Sequence, residues 1–165
     1  MALLLACATP AEVVFLPFRQ QPAAPVLPEG FELRGDLTPS PEAINRLLAS
    51  CDEPTPPLER WPEALERSYW HLCILESASQ ELAAFVRVTS DQALNANLWN
   101  LSARPGPHQA ELLAVLVHQI LNGLRKQLPG CSISIAAPPA SLKALTSQGF
   151  VLDPGGIRAM GLRLQ

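Results

Sequence analysis

The stretch from Ala96 to Phe150 constrains the fold more than any other part of the chain. It runs as a strand (ANLWNLSA), a Pro/Gly turn (RPGPHQ), a long apolar-striped segment (AELLAVLVHQILNGLRKQL), a second strand after Pro129-Gly130, and a short helix closing on Gly149-Phe150. Leu113, Leu116, Val117, Ile120, Leu124 and Leu128 recur at helical spacing and form one stripe. Cys131, Ile133 and Ile135 alternate with Ser132 and Ser134, which is the period of a strand. Two strands joined through a helix of this length lie parallel, connected by a right-handed crossover. The same unit aims the unpaired N–H groups of the helix's first turn at whatever lies beyond the first strand.

The residues upstream supply sheet and cover. Phe31–Arg34 alternates as a short strand. Ser40 caps a helix that has Pro41 at its first position, Glu42 in its first turn and an apolar face of Ile44, Leu47, Leu48 and Cys51. That helix stops before Pro54-Thr55-Pro56-Pro57, and Trp61–Glu66 makes a second short one. Tyr69–Leu75 is apolar on both faces, as a central strand is. Leu82–Val88 and Ala96–Ala103 follow across polar turns, so two hairpins form an antiparallel meander that hands over to the parallel crossover. Residues 150–152 and 157–164 form a last strand pair around Asp153-Pro154-Gly155-Gly156, and Gly149 closes the last helix. The expected fold is α/β (α+β): a mixed, mainly antiparallel sheet of six or seven strands with a central β-α-β crossover and flanking helices.

Composition narrows the function classes. Of the 17 prolines, 11 fall at or before Pro62. Residues 1–28 read as a proline-rich N-terminal arm, with Val13–Leu16 as an edge strand, and 29–165 as the domain. A net charge of −3, with basic residues scattered, gives no electrostatic footprint for nucleic acid. The apolar start Met1–Cys7 has no basic residues before it and is soon followed by Glu12, unlike a secretory leader. No stretch is apolar for the ~18 residues that a membrane span needs, so no membrane partner is expected. Cys7, Cys51, Cys73 and Cys131 are far apart and lack zinc-ligand spacing, so no metal site is expected. Cys73 and Cys131, inside apolar strands, read as reduced thiols of a cytoplasmic protein.

This order of elements, with the phrases LAAFVRVTSD, ANLWNLSARP and LKALTSQGF, resembles the GNAT (GCN5-related N-acetyltransferase) superfamily over roughly residues 31–164. The resemblance implies that acetyl-CoA lies where the strand before the crossover helix splays from the strand after it. The pantetheine arm would pair with Leu101, Ser102 and Ala103. The pyrophosphate would rest on the loop and first turn, Arg104, Gly106, His108, Gln109, Ala110 and Glu111. Two departures stand out. The family's loop pattern, Arg/Gln-x-x-Gly-x-Gly/Ala, here carries Pro107 and Gln109 at its glycine places. Proline removes a backbone donor, and Glu111 adds a negative charge to the first turn. The family's acid tyrosine, four residues before the Gly of Gly-Phe, is replaced by Leu145.

Acyl transfer from a thioester to an amine needs a base, an oxyanion donor and a proton source. His108 is the candidate base, while its plainer and favoured reading is a solvent-exposed turn histidine. Ser141 is the candidate acid, with Thr146 as a geometric substitute, while the favoured reading of both is as packing or solvent-facing hydroxyls. His71 reads as a core histidine or one facing the acceptor, His118 as a helix-face residue. Asn100 stands where some relatives carry an acid. Trp70 and Trp99, on neighbouring strands, are expected to share one sheet face as core or acceptor pocket. Two functions follow: an acetyl-CoA-dependent N-acyltransferase acting on an amine-bearing small molecule or protein, or a catalytically inactive relative serving as a binding or assembly factor. Homo-oligomer formation is left open by the sequence.

Overall fold

The computed structural model describes residues 23–152. Five strands form one sheet in sequential order: β1 (Phe31–Arg34), β2 (Trp70–Glu76), β3 (Leu82–Ser90), β4 (Asn95–Ala103) and β5 (Ser132–Ile135). The first four are antiparallel neighbours, and β5 adds parallel to β4. The helices are α1 (Pro41–Ser50), α2 (Trp61–Glu66), α3 (Gln109–Gln127) and α4 (Leu142–Ser147). The expected meander and crossover are therefore present. Of the strand pair expected over 150–164, residues 150–152 carry no strand and the remainder lies outside the described residues, as do Val13–Leu16 and Cys7.

Each helix follows from its local chemistry. Ser40 accepts the Ala43 N–H at 3.2 Å and so satisfies one of the donors that open α1. Gly149, at φ +97°, supplies the left-handed residue just past α4. The α3 stripe is wider than its six predicted positions, because Leu112, Val115 and Leu121 are buried as well. A helix packed both on a sheet and against α4 needs an apolar face of this breadth.

Strand alternation sends side chains to two separate cores. Leu72, Ile74, Val86, Val88, Ala96, Leu98 and Leu101 pack under α3 and α4. Cys73, Leu75, Leu82 and Phe85 face α1 and α2 with Ile44, Leu47, Leu48 and Trp61. The two tryptophans fall on opposite sides of the sheet, contrary to the expectation above. Trp70 pairs with Val88 and joins the α3 core, while Trp99 pairs with Arg87 on the other face and is 46% exposed. The cause is the register, which skips between Phe85 and Arg87 and shifts the face of every β4 residue before that point.

Trp70 lies against Gly123 in the middle of α3, close enough that a methyl group there would overlap its ring. Glycine costs a helix about 1 kcal/mol relative to alanine, so its presence here is a packing requirement. Gly123→Ala is expected to destabilise the fold by about 1–2 kcal/mol, the cost of overpacking less the gain in helix propensity. In a Trp70→Leu background the same change becomes neutral or stabilising. Denaturant unfolding of the four proteins of this cycle checks the sign reversal; two equal effects would mean that the ring does not set the glycine.

Candidate active site

The site begins where β4 and β5 part. Their parallel pairing runs from Asn95↔Ser132 to Leu98↔Ile135 and ends there, because Pro138 and Pro139 carry the chain away into the turn before α4. Strand β4 continues for five more residues, 99–103, with β3 on one side and no strand on the β5 side. Within that stretch the β3 register passes from Arg87↔Trp99 to Phe85↔Ser102, so Asn100 and Leu101 together oppose one residue, Val86. Asn100 takes φ +55° to make this bulge. Bulges re-aim backbone groups, and here the extra residue sits at the base of the fork.

The backbone of Ala103 points into the fork. The Arg104 N–H donates to Ala83 O at 2.8 Å, and antiparallel ladders alternate, so Ala103 turns its own N–H and C=O away from β3. Its carbonyl accepts two side-chain donors, Gln109 Nε2 at 2.9 Å and Cys51 Sγ at 3.2 Å. Burial is the main cause raising the Cys51 pKa above the ordinary thiol value, which keeps the thiol protonated and donating. Ser102, buried on the α1 side, donates its hydroxyl to Glu53 Oε1 at 2.6 Å. Glu53 was not legible as a site residue: it follows α1 in a proline-rich linker, some fifty positions from Ser102, and no spacing rule joins them.

The turn into α3 differs from its expected role residue by residue. Gly106 holds φ +152° with open space where a side chain would sit, so its glycine serves the backbone conformation. Arg104 is turned away from the helix N-terminus, paired with Glu76 and Glu81 at 3.3 Å each. His108 occupies the cap position of α3 without a side-chain cap bond. Its Nδ1 lies 2.7 Å from Glu111 Oε2, and its ring stands edge-on to Phe31 at 5.6 Å. Since β1 and β5 are the two edges of the sheet, contact with Phe31 places the imidazole on the side opposite the fork. The amides of Ala110 and Glu111 have no partner among the described residues. Beside them a recess of about 480 Å³ opens between α3 and α4, lined by Ala110, Glu111, Ala114, Lys143, Ala144 and Val26. Lys143 is a cation at this recess that the sequence reading passed over.

The candidate acids at α4 are already engaged. Ser141 is fully buried and donates to Pro138 O at 2.7 Å, so it has no free proton for a leaving thiolate. Thr146 donates back to Leu142 O at 2.9 Å, and Leu145 is core. His71 bonds Leu37 O through Nε2 at 3.1 Å on the α1 side, and the buried Nδ1 of His118 has no partner among the described residues.

No family model matches the chain. Over 106 residues it is 30% identical to the uncharacterized N-acetyltransferase ycf52 of Pyropia yezoensis, an alignment covering 63% of this chain and 60% of that relative's length. It is 26% identical over 149 residues to the chloroplastic GCN5-related N-acetyltransferase 1 of Arabidopsis thaliana, covering 86% of this chain and 75% of that one. Among solved structures, a Staphylococcus aureus protein described as a probable acetyltransferase superposes with a TM-score of 0.70 at 13% identity, over 81% of this chain and 99% of its own. A shared fold at such low identity speaks to architecture alone; the relatives in sequence and the forked sheet make this chain similar to GCN5-related N-acetyltransferases, and it spans about 60% of the length of the first of those relatives.

Proposed function

We propose that the chain is an acetyl-CoA-dependent N-acyltransferase acting on an amine, by direct transfer within the fork between β4 and β5. The observation that carries this reading is the unpaired run of β4 past Leu98↔Ile135, bulged at Asn100. Unpaired backbone groups inside a fold are costly unless something supplies their partners. An extended ligand with its own amides does so by adding a strand. The residues fit acetyl-CoA in part: the Ala103 edge suits an amide-bearing arm, and the free amides of Ala110 and Glu111 with Lys143 suit its phosphates. Pro107 and Gln109 reduce the loop itself to one flexible residue, Gly106. The cofactor, when bound, supplies the thioester; the chain holds it and manages the proton.

Glu53 is the group we assign to the acceptor's proton. A carboxylate beside β4, held by the Ser102 hydroxyl, is a base that needs no imidazole at the fork. His108 belongs instead to the helix terminus, where it engages the Glu111 carboxylate beside the amides proposed for the phosphates. Direct transfer is favoured over an acyl-cysteine route, because the Cys51 thiol is held protonated as a donor to Ala103.

The second reading, a catalytically inactive binding or assembly factor, draws on one feature: the Ala103 carbonyl is already occupied by Gln109 and Cys51. Titration with acetyl-CoA while following thermal unfolding separates the two. Ligand at a hundredfold excess over Kd adds about 2.7 kcal/mol of stability, and no shift at millimolar ligand would leave only the second reading. Gly106→Val, which forces a β-branched residue into φ +152°, is expected to abolish the shift. Gln109→Ala is expected to enhance it, since an arm entering the fork no longer displaces an internal hydrogen bond; a gain of about two- to tenfold in affinity corresponds to one net hydrogen bond. Glu53→Gln is expected to lower kcat by roughly 10²-fold or more with the acetyl-CoA Kd preserved, and a wild-type kcat would overturn Glu53 as the base.

A further inference from the structure

We propose that the sheet face carrying α1 and α2 holds an anion subsite, built by Arg87 against the ring of Trp99, which selects acceptor amines that also bear a carboxylate. This rests on the acyltransferase reading for its consequence, although the subsite stands on its own observations.

Arg87 is the middle member of a row across three strands, His71–Arg87–Trp99. Its guanidinium lies 5.7 Å from the Trp99 ring centre, donates from Nε to Asn100 Oδ1 at 2.8 Å, and reaches Ser68 Oγ from Nη1 at 3.4 Å. A guanidinium has five N–H donors, and these two bonds both go to neutral acceptors. Its Nη2 makes no hydrogen bond among the described residues and is not buried, so that amino group opens to solvent. Desolvation by burial holds its pKa below the ordinary arginine value, and no neighbouring charge opposes that shift.

The other partly buried arginines are treated differently. Among the described residues, Arg34 is paired with Glu32 and Asp36, and Arg104 with Glu76 and Glu81, whereas Arg87 has no carboxylate partner. Half-burying a cation without a counter-charge carries a desolvation cost that a carboxylate from outside would offset. The position suits that role. Trp99 is the first β4 residue past the last β5 pair, and Asn100 is the bulge itself, so the subsite lies at the base of the fork where an acceptor would meet the thioester. The Trp99 indole N–H is fixed by Thr89 Oγ1 at 2.8 Å, which sets the ring under the guanidinium. Arginine binds carboxylates through two parallel N–H groups, and the free Nδ2 of Asn100 adds a third donor.

The test uses matched ligands differing only in the anion. In calorimetric titration of the full chain, N-acetylglycine is expected to bind at least tenfold more tightly than N-acetylglycinamide, and Arg87→Gln is expected to remove that difference. Equal affinity for the two ligands, or an unchanged difference in the variant, overturns the subsite. For transfer, the ratio of kcat/KM for glycine over glycinamide is expected to fall at least tenfold from wild type to Arg87→Gln. Comparing ratios cancels the unequal basicity of the two amines, and a loss caused by misfolding would lower both substrates together and leave the ratio in place. Binding of N-acetylglycine through Arg87 without any acetyl-CoA binding would sink the acyltransferase reading and keep the subsite. Transfer with no preference for the carboxylate would do the reverse.

Discussion

A single shortfall in hydrogen bonding organises this structure: β5 stops after four residues, and β4 does not. Sheet edges inside a fold must be covered, paired or interrupted. Here the edge past Leu98 is interrupted by the bulge at Asn100 and partly covered by the side chains of Cys51 and Gln109, which come from opposite ends of the chain's topology to the same carbonyl. The proline pair two residues past β5 keeps the ladder from extending beyond Ala137, because Pro138 and Pro139 have no N–H with which to continue it.

That dependence explains why the architecture was readable and the site only half so. Helix α1 was marked by Ser40, Pro41 and a periodic apolar face, all local signals that the structure repeats. Helix α3 and β5 were marked by changes of period. The faces of β4 were not, since a two-for-one bulge inverts alternation without leaving a glycine to announce it: an asparagine carries φ +55° there. Trp99 does not share a face with Trp70, because this bulge turns it to the other side and β3 lies between their strands. Glu53 and Arg87 escaped for another, as their partners are Ser102, and Asn100 and Ser68, residues brought near only by the packing of α1 and α2 on the sheet.

The two faces of the sheet have separate duties. The α3 face is almost wholly apolar, and its fit is tight enough that Trp70 dictates a glycine in the helix above it. The α1 face is apolar only toward β1 and the start of β3; from Arg87 onward it becomes polar, with Thr89, Asn97, Trp99 and Asn100 in place of core residues. A sheet that is buried on both sides at one end and polar on one side at the other has its recognition surface at the polar end. Its inner members, Arg87, Trp99 and Asn100, lie where β4 and β5 begin to separate.

The helix N-terminus closes the argument about the missing glycines. A phosphate loop rich in glycine brings many backbone donors to an anion, but the macrodipole and the last free amides of a helix remain when those glycines are lost. In this chain Pro107 deletes one donor and Gln109 turns its side chain back to Ala103, leaving Ala110 and Glu111 to present theirs. Glu111 would oppose an anion from the same turn, yet its carboxylate is drawn onto His108 at 2.7 Å, and Lys143 stands across the recess. The terminus therefore keeps its donors and a nearby cation while an imidazole engages its own acid. On the reading proposed above, an anion here would meet two helix amides and Lys143 in place of a glycine-rich loop.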